Sequence, residues 1–331
     1  MILASIRSKV PGLELDGQLV IIHPNRLTVA ILPDVQFSSL RQALESWGSS
    51  SAKLQNIDAQ LRAGYWSHTV STEQVVFCAP LPRSWTLLDG SAYVQHIKLV
   101  RKARNAELPE DLLTIPLMYQ GASEGLLSPF DDIPLLDPAY GVDFESEVAI
   151  ITDAVPQGTT APEALQHIKL IMLMNDISLR ELIPRELSTG FGFFHGKPPS
   201  SFSPFVVTPE ELKDTWRDGR VHLPLETYLN NELFGSPNAG EMHFSFLQLI
   251  EHATKTRALG AGTIIGSGTV SNTDASLGSS CIVERRMLEK INSGTITTPY
   301  LKDGDRIKIS MSLRETNIFG SIDQVVRQIK R

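Results

Sequence analysis

The segment Asp143-Phe144-Glu145-Ser146-Glu147-Val148-Ala149-Ile150-Ile151-Thr152 sets alternating acids directly before a β-branched apolar run. A run of that kind reads as a strand, here over residues 142–152. Side chains repeat every two residues along a strand, so Asp143, Glu145 and Glu147 would share one face. Carboxylates aimed into one spot repel each other. They are tolerated where a hard cation sits between them or where some stay protonated. The plainer alternative is a solvated strand face.

Outward from this segment, short β-branched runs continue at residues 205–208, 262–270 and 306–311. Helical patterns intervene at 92–103, 162–177 and 244–254. The pattern is strand-rich α+β, not a regular βαβ alternation. The first 75 residues read as a small β-rich module of their own. Its strands fall at 1–6, 18–23, 26–31 and 75–77, with turns at Gly17 and Pro24-Asn25 and helices at 37–47 and 55–64. The predicted organisation is therefore an N-terminal module over 1–75 and a larger unit over 76–331.

Bulk properties narrow the class. With 42% apolar and 20% charged residues, the composition is that of an ordinary globular protein. A net charge of −7 opposes a nucleic-acid partner, which demands a basic footprint. Two cysteines, Cys78 and Cys281, make no disulfide framework and fit a reducing compartment as buried thiols. No apolar run approaches the roughly 20 residues of a spanning helix. The N-terminus lacks the basic-then-apolar order of a signal peptide, so a cytoplasmic location without membrane contact is expected. No phosphate-cradling glycine motif is present.

Four further constellations could carry chemistry. Leu173-Met174-Asn175-Asp176-Ile177-Ser178-Leu179-Arg180 reads as the end of an apolar helix face that delivers Asp176, with Arg180 four residues on. An i,i+4 ion pair is its bland explanation. Asp89 reads as the start of a helix carrying His96 on its second turn. Such a histidine is either a packed core residue or a base. Gly196-Lys197-Pro198-Pro199-Ser200-Ser201-Phe202-Ser203-Pro204 is a stiff loop that offers a lysine and hydroxyls. Gly266-Ser267-Gly268-Thr269-Val270-Ser271-Asn272 is either a plain strand turn or a turn whose backbone approaches a ligand closely.

Taken in order, DFESEVAI, LMNDISLR, HGKPPSSFSPF and GSGTVSN resemble the fumarylacetoacetate hydrolase family. The N-terminal module is similar to that of its bacterial branch. The resemblance covers nearly the whole chain and implies a mixed β-roll catalytic domain. It also implies one divalent cation, magnesium or calcium, held by four carboxylates. The matching residues are Asp89, Glu145, Glu147 and Asp176. An all-oxygen set suits hard cations, manganese included.

The family's base is a histidine seven residues after the first metal aspartate, which is His96 here. Its orienting glutamate matches Glu284, with Glu289 as the alternative. The active-site lysine and arginine match Lys197 and Arg180, and the substrate-contacting tyrosine matches Tyr119. The SGT turn places Thr269 and Gly268 at the substrate. A homodimer is implied.

Three positions depart from animal fumarylacetoacetases. Ser91 and Ile183 replace a tyrosine and a glutamine, and Asn105 replaces an arginine, with Arg101 and Arg104 close by. These changes touch the grip on substrate, not the metal or the base. The implied activity is hydrolysis of a carbon–carbon bond in a small anionic β-diketo acid. Fumarylacetoacetate would give fumarate and acetoacetate, the last step of tyrosine and phenylalanine catabolism. Acylpyruvate hydrolysis, decarboxylation or isomerisation of 2-oxo acids are same-fold alternatives, and a non-catalytic cation-binding protein is a remote one.

Overall fold

Ser146–Thr152 forms a strand that is buried at every position. Val148 and Ile150 face one core cluster, Ala149 and Ile151 the other. Its antiparallel partner Ile168–Asn175 repeats this, with Ile171 and Leu173 on one side and Leu170, Met172 and Met174 on the other. A strand covered on both faces has no polar face to show. Its sequence is then a continuous apolar run without alternation.

The computed structural model describes residues 1–8, 10–32, 37–103, 107 and 110–329. Among these, the two central strands belong to an eleven-stranded sheet. Its path runs Thr69–Ser71, Thr28–Ile31, Gln18–Ile22, Ile2–Ile6, Val206–Val207, Ile168–Asn175, Ser146–Thr152, Ile264–Gly266, Leu87–Gly90 and Met118–Gly121, and Ser201–Phe202 pairs off this path with Ile168–Asn175. The pair Ile264–Gly266 with Leu87–Gly90 is parallel, while the other pairs along the path are antiparallel. Strand Ile2–Ile6 pairs with Val206–Val207, so the sheet runs on from the N-terminal strands into the rest of the chain.

Helices Leu40–Glu45 and Trp47–Arg62 cover one face, burying Leu40, Leu44, Leu54 and Leu61. Ser39 opens the first with a reciprocal cap to Gln42, which satisfies backbone donors that the first turn leaves unpaired. The other face packs on a five-stranded sheet ordered Glu232–Gly235, Glu226–Leu229, Arg306–Ser310, Ile322–Gln328 and Ile133–Leu135. Helix Phe246–Thr254 joins that cluster through Phe246, Leu249 and Ile250. The fold is a strand-rich α+β arrangement with an N-terminal β-rich part and a large mixed sheet.

Several sequence expectations need correction. The helix expected over 162–177 is a four-residue helix, Ala161–Ala164, a 3₁₀ turn, Leu165–His167, and then the strand Ile168–Asn175. The helix expected over 37–47 spans Leu40–Glu45, and the one over 55–64 begins earlier, at Trp47. The strand expected over 75–77 is a single bridge from Phe77 to Ile6. The expected long strand over 142–152 is broken into Val142–Asp143 and Ser146–Thr152. Cys78 and Cys281 are free thiols, the first half-buried and the second buried. No helix among the described residues is long and apolar enough to cross a membrane.

Candidate active site

The site forms where the parallel strand pair meets the central strands. Gly266 lies in register with Asp89 on one side and Ala149 on the other. A Cβ at Gly266 would stand 2.4 Å from Asp89 Oδ1 and 2.9 Å from Glu147 Oε2, so the bare backbone makes room for both carboxylates. Gly268 then turns with φ +78°, and its N–H donates to Asp89 Oδ1 at 3.1 Å and Glu147 Oε2 at 3.0 Å. A Cβ there would meet the Gly90 carbonyl oxygen at 2.4 Å. Asp89 sits in strand Leu87–Gly90 and not at a helix start, which corrects the sequence reading.

Asp176 follows the end of Ile168–Asn175 and completes the group. Donor oxygens of Asp89, Glu147 and Asp176 lie within 4.8 Å of one another, and all three residues are buried. Asp176 accepts from Tyr119 Oη at 2.8 Å, Ser200 Oγ at 2.8 Å and Lys197 Nζ. Glu147 Oε1 is buried with no hydrogen-bond partner. Burial, and then Asp176, push the Asp89 carboxyl up to about 8. Burial, and then Asp89, push Glu147 well above its usual range. Three buried, mutually repelling carboxylates with one orphan oxygen form a hard all-oxygen donor set. That set fits a divalent cation such as magnesium, calcium or manganese.

Glu145 stands apart from this trio. Its backbone bridges to Cys281, and its carboxylate accepts from Arg180 Nη2 at 2.7 Å and Lys197 Nζ at 2.6 Å. Burial opposes its charge, but Arg180 and Lys197 hold its carboxyl well below the ordinary range. Burial likewise opposes the Lys197 ammonium, while Asp176 and Glu145 raise its pKa above the usual lysine value. Lys197 therefore links Glu145 to the trio through Asp176.

Asp143 does not join the acidic face. It accepts from Arg180 Nε at 2.8 Å and from the backbone N–H groups of Ile282 at 2.7 Å and Val283 at 3.0 Å. It thereby caps helix Ile282–Ser293, whose first-turn donors have no partner within the helix. Arg180 pairs with Asp143 and Glu145, so the i,i+4 pair with Asp176 is not formed.

The capped helix presents Glu284 from its first turn to His96, in the first turn of Val94–Ala103. His96 Nδ1 and Glu284 Oε2 are 2.9 Å apart. An ionised carboxylate only accepts, so this bond puts the ring proton on Nδ1 and leaves the Nε2 lone pair available. Glu289 is elsewhere: it accepts from Thr297 and Thr298 beyond the helix end. Donor atoms of His96, Glu145 and Cys281 also lie within 4.8 Å. Burial keeps the Cys281 thiol well above its ordinary pKa.

A cavity of about 570 Å³ opens onto this group. His96, Tyr119, Lys197, Arg180 and Thr269 line it with Asp89 and Glu145, and so do Ser91, Ile183 and Gly268. Asn105 and Arg104 lie outside the described residues, as does the Arg101 side chain. The sequence reading missed Asp143 as a helix cap, Ser200 as an Asp176 partner and the approach of Cys281. The hydroxyl-bearing loop around Lys197 was the one local signal among these; the others come from chain segments more than a hundred residues apart.

Fold and site together define a cavity with a buried carboxylate cluster and a histidine–glutamate pair on a strand-rich frame. Residues 86–327 match the fumarylacetoacetate (FAA) hydrolase C-terminal domain, and residues 1–83 match fumarylacetoacetase N-terminal domain 2. The chain belongs to the fumarylacetoacetate hydrolase family. It is 25% identical to an oxaloacetate tautomerase of Bacillus subtilis (strain 168), over 74% of this chain and 72% of that protein. A mitochondrial oxaloacetate tautomerase of Homo sapiens is also 25% identical, over 64% of this chain and 62% of the relative. Among solved structures, a fumarylacetoacetate hydrolase from Exiguobacterium antarcticum aligns with a TM-score of 0.67 and 20% identity, covering 99% of this chain and all of that one. A probable 2-hydroxyhepta-2,4-diene-1,7-dioate isomerase from Mycobacterium abscessus gives 0.66 and 20%, covering both chains fully. These likenesses show the fold.

Proposed function

We propose that this chain is a metal-dependent hydrolase of a carbon–carbon bond in a small β-diketo acid. The observation that carries the reading is His96, 2.9 Å from Glu284, on the wall of a cavity that Asp89 and Glu145 also line. Asp89, Glu147 and Asp176 would hold the cation, with Glu145 as the fourth carboxylate beside Lys197. A divalent cation held there would supply Lewis-acid polarisation of a substrate carbonyl.

His96 Nε2 takes a proton from water, and Glu284 stabilises the imidazolium that forms. The hydroxide adds to one carbonyl carbon. The tetrahedral adduct breaks its bond to the central carbon, and the electron pair leaves as an enolate that collects a proton. Lys197 faces the developing negative charge, which is the kind of contact that usually contributes most. Tyr119 and Thr269 position the substrate. Fumarylacetoacetate is the first member of the class to test, and a homodimer in a cytoplasmic setting completes the reading.

The names of the curated relatives favour a second reading, keto–enol tautomerisation of oxaloacetate. It uses the same base to move a carbon-bound proton and breaks no carbon–carbon bond. One panel separates the two: metal-stripped protein reloaded with magnesium, calcium or manganese, then offered fumarylacetoacetate, acylpyruvates and oxaloacetate. Cleavage of any diketo acid supports hydrolysis. Tautomerisation of oxaloacetate with no cleavage of any diketo acid overturns it.

A further inference from the structure

We infer that His96, Glu145 and Cys281 form a second cation site, distinct in chemistry from the carboxylate trio, that takes a thiophilic cation such as zinc or cadmium. Donor atoms of the three lie within 4.8 Å of one another, with Glu145 and Cys281 buried and His96 partly so. No local spacing in the sequence announces this group. The bridge between Glu145 and Cys281 sets the thiol beside the acid, and the packing of Val94–Ala103 on Ile282–Ser293 brings the histidine to both.

The donor set decides the cation. Thiolate and imidazole select zinc-class ions, whereas the all-oxygen trio of Asp89, Glu147 and Asp176 suits magnesium or calcium. Zinc bonds to sulfur, nitrogen and oxygen run roughly 2.0–2.3 Å, so atoms bound to one ion stand at most about 4.4 Å apart, and small side-chain shifts complete the set. A thiolate and a carboxylate balance the double positive charge, and the thiol proton leaves on binding. His96 is oriented as a ligating histidine usually is. Its Nδ1–H points to the Glu284 carboxylate, which leaves the Nε2 lone pair to be given. Glu145 already accepts from Arg180 and Lys197, but an ionised carboxylate offers about four lone-pair positions. Three protein ligands leave a fourth position to water. His96 and Glu145 line the cavity that would admit the ion. A cation on the ring nitrogen occupies the lone pair that would accept a proton, so zinc should inhibit. That consequence rests on His96 being the base of the proposed reaction; the binding does not.

The test keeps magnesium in excess, to hold the carboxylate trio, and titrates cadmium and then zinc into the parent, Cys78→Ser and Cys281→Ser. One equivalent of cadmium should produce a thiolate-to-metal absorption band in the parent and in Cys78→Ser, and none in Cys281→Ser. The chain has two cysteines, so a band kept in Cys78→Ser belongs to Cys281 even if the Cys281 variant fails to fold. Zinc affinity by calorimetry should fall in folded Cys281→Ser by about a hundredfold or more, because losing even a ligand's supporting partner can cost that much. Turnover of fumarylacetoacetate or oxaloacetate by the parent should drop by roughly a hundredfold or more with zinc, the worth of a positioned base, and added magnesium should not restore it. Cadmium and zinc binding at Cys281 with turnover intact would defeat His96 as the base and leave the site standing. Absence of the band, its loss in Cys78→Ser, an unchanged zinc affinity in folded Cys281→Ser, or inhibition that added magnesium relieves would overturn the inference.

Discussion

Replacing Asp89 with asparagine should stabilise the cation-free chain, and the gain should grow with pH. Burial, and then Asp176, raise the Asp89 carboxyl from an ordinary 3.8 to about 8. An acid whose folded pKa lies above its unfolded value has its full stability below the unfolded pKa and loses it as pH rises to the folded one. The window is therefore about pH 4 to 8. Between pH 5 and 8 the loss has a ceiling of about 4 kcal/mol, at about 1.4 kcal/mol per pH unit. Asp89 lies in one buried cluster with Glu147 and Asp176 and titrates together with its neighbours, so the substitution should recover part of that ceiling, about 2 kcal/mol. Unfolding entropy of about 2.1 cal/mol/K per residue makes this about 3 °C in Tm for a chain of this length. Asparagine keeps an oxygen to accept the Gly268 N–H, so the cap of that turn survives. The assay is calorimetric melting of both proteins after chelation, at steps from pH 5 to 8. The Tm gap between variant and parent should widen by about 3 °C, and magnesium or calcium should raise the parent more than the variant. A gap that is constant or narrows with pH, or a parent whose melting ignores both cations, would refute the reasoning.

His96→Asn should cost on the order of 10²–10⁴ in kcat with little change in Tm, and Glu284→Gln a smaller loss in the same direction. A lowered Tm with kcat intact would make His96 a packing residue. Gly268→Ala should destabilise by about 2 kcal/mol or more in urea unfolding, because φ is +78° and a Cβ would press on the Gly90 carbonyl oxygen; near-parental stability would contradict the close approach. Burial works against the Glu289 charge, but bonds from Thr298 and Thr297 hold its carboxyl at about 2 against an ordinary 4.5. Its contribution is present above pH 4.5 and is lost as pH falls toward 2. Glu289→Ala should cost about 1 kcal/mol at neutral pH, discounted for solvent exposure, and the two proteins should converge in acid.

The elements legible in the sequence were those with one dry face. Residues 244–254 put apolar side chains at helical spacing beside a capping serine, and the structure has helix Phe246–Thr254 there. The run 168–175 carried no such information. Both of its faces are buried, so neither a period of two nor one of 3.6 appears, and periodicity alone cannot separate a covered strand from a core helix. Asp89 misled for a related reason. An aspartate before a helix usually caps it, but here four residues, Gly90 to Tyr93, separate it from Val94 and its carboxylate points into the sheet junction.

At the site, residue types were legible and their pairings were not. The alternating acids from 143 to 147 suggested a single face, and the broken strand gives them three environments. Glu147 sits among like charges, Glu145 is neutralised by two cations, and Asp143 is spent on a helix start. The last of these links the two halves of the proposed machinery. Asp143 holds the N-terminus of Ile282–Ser293 and shares Arg180 with Glu145. The helix that presents Glu284 to His96 is thus tied to the same cation that balances the carboxylate end. Such coupling depends on contacts between segments about 140 residues apart, and nothing in the local pattern at either end encodes it. Asp143→Asn would leave Arg180 with one carboxylate and weaken the cap. Its effect should therefore appear in kcat through Glu284 and His96 even though Asp143 itself stands behind the reacting groups.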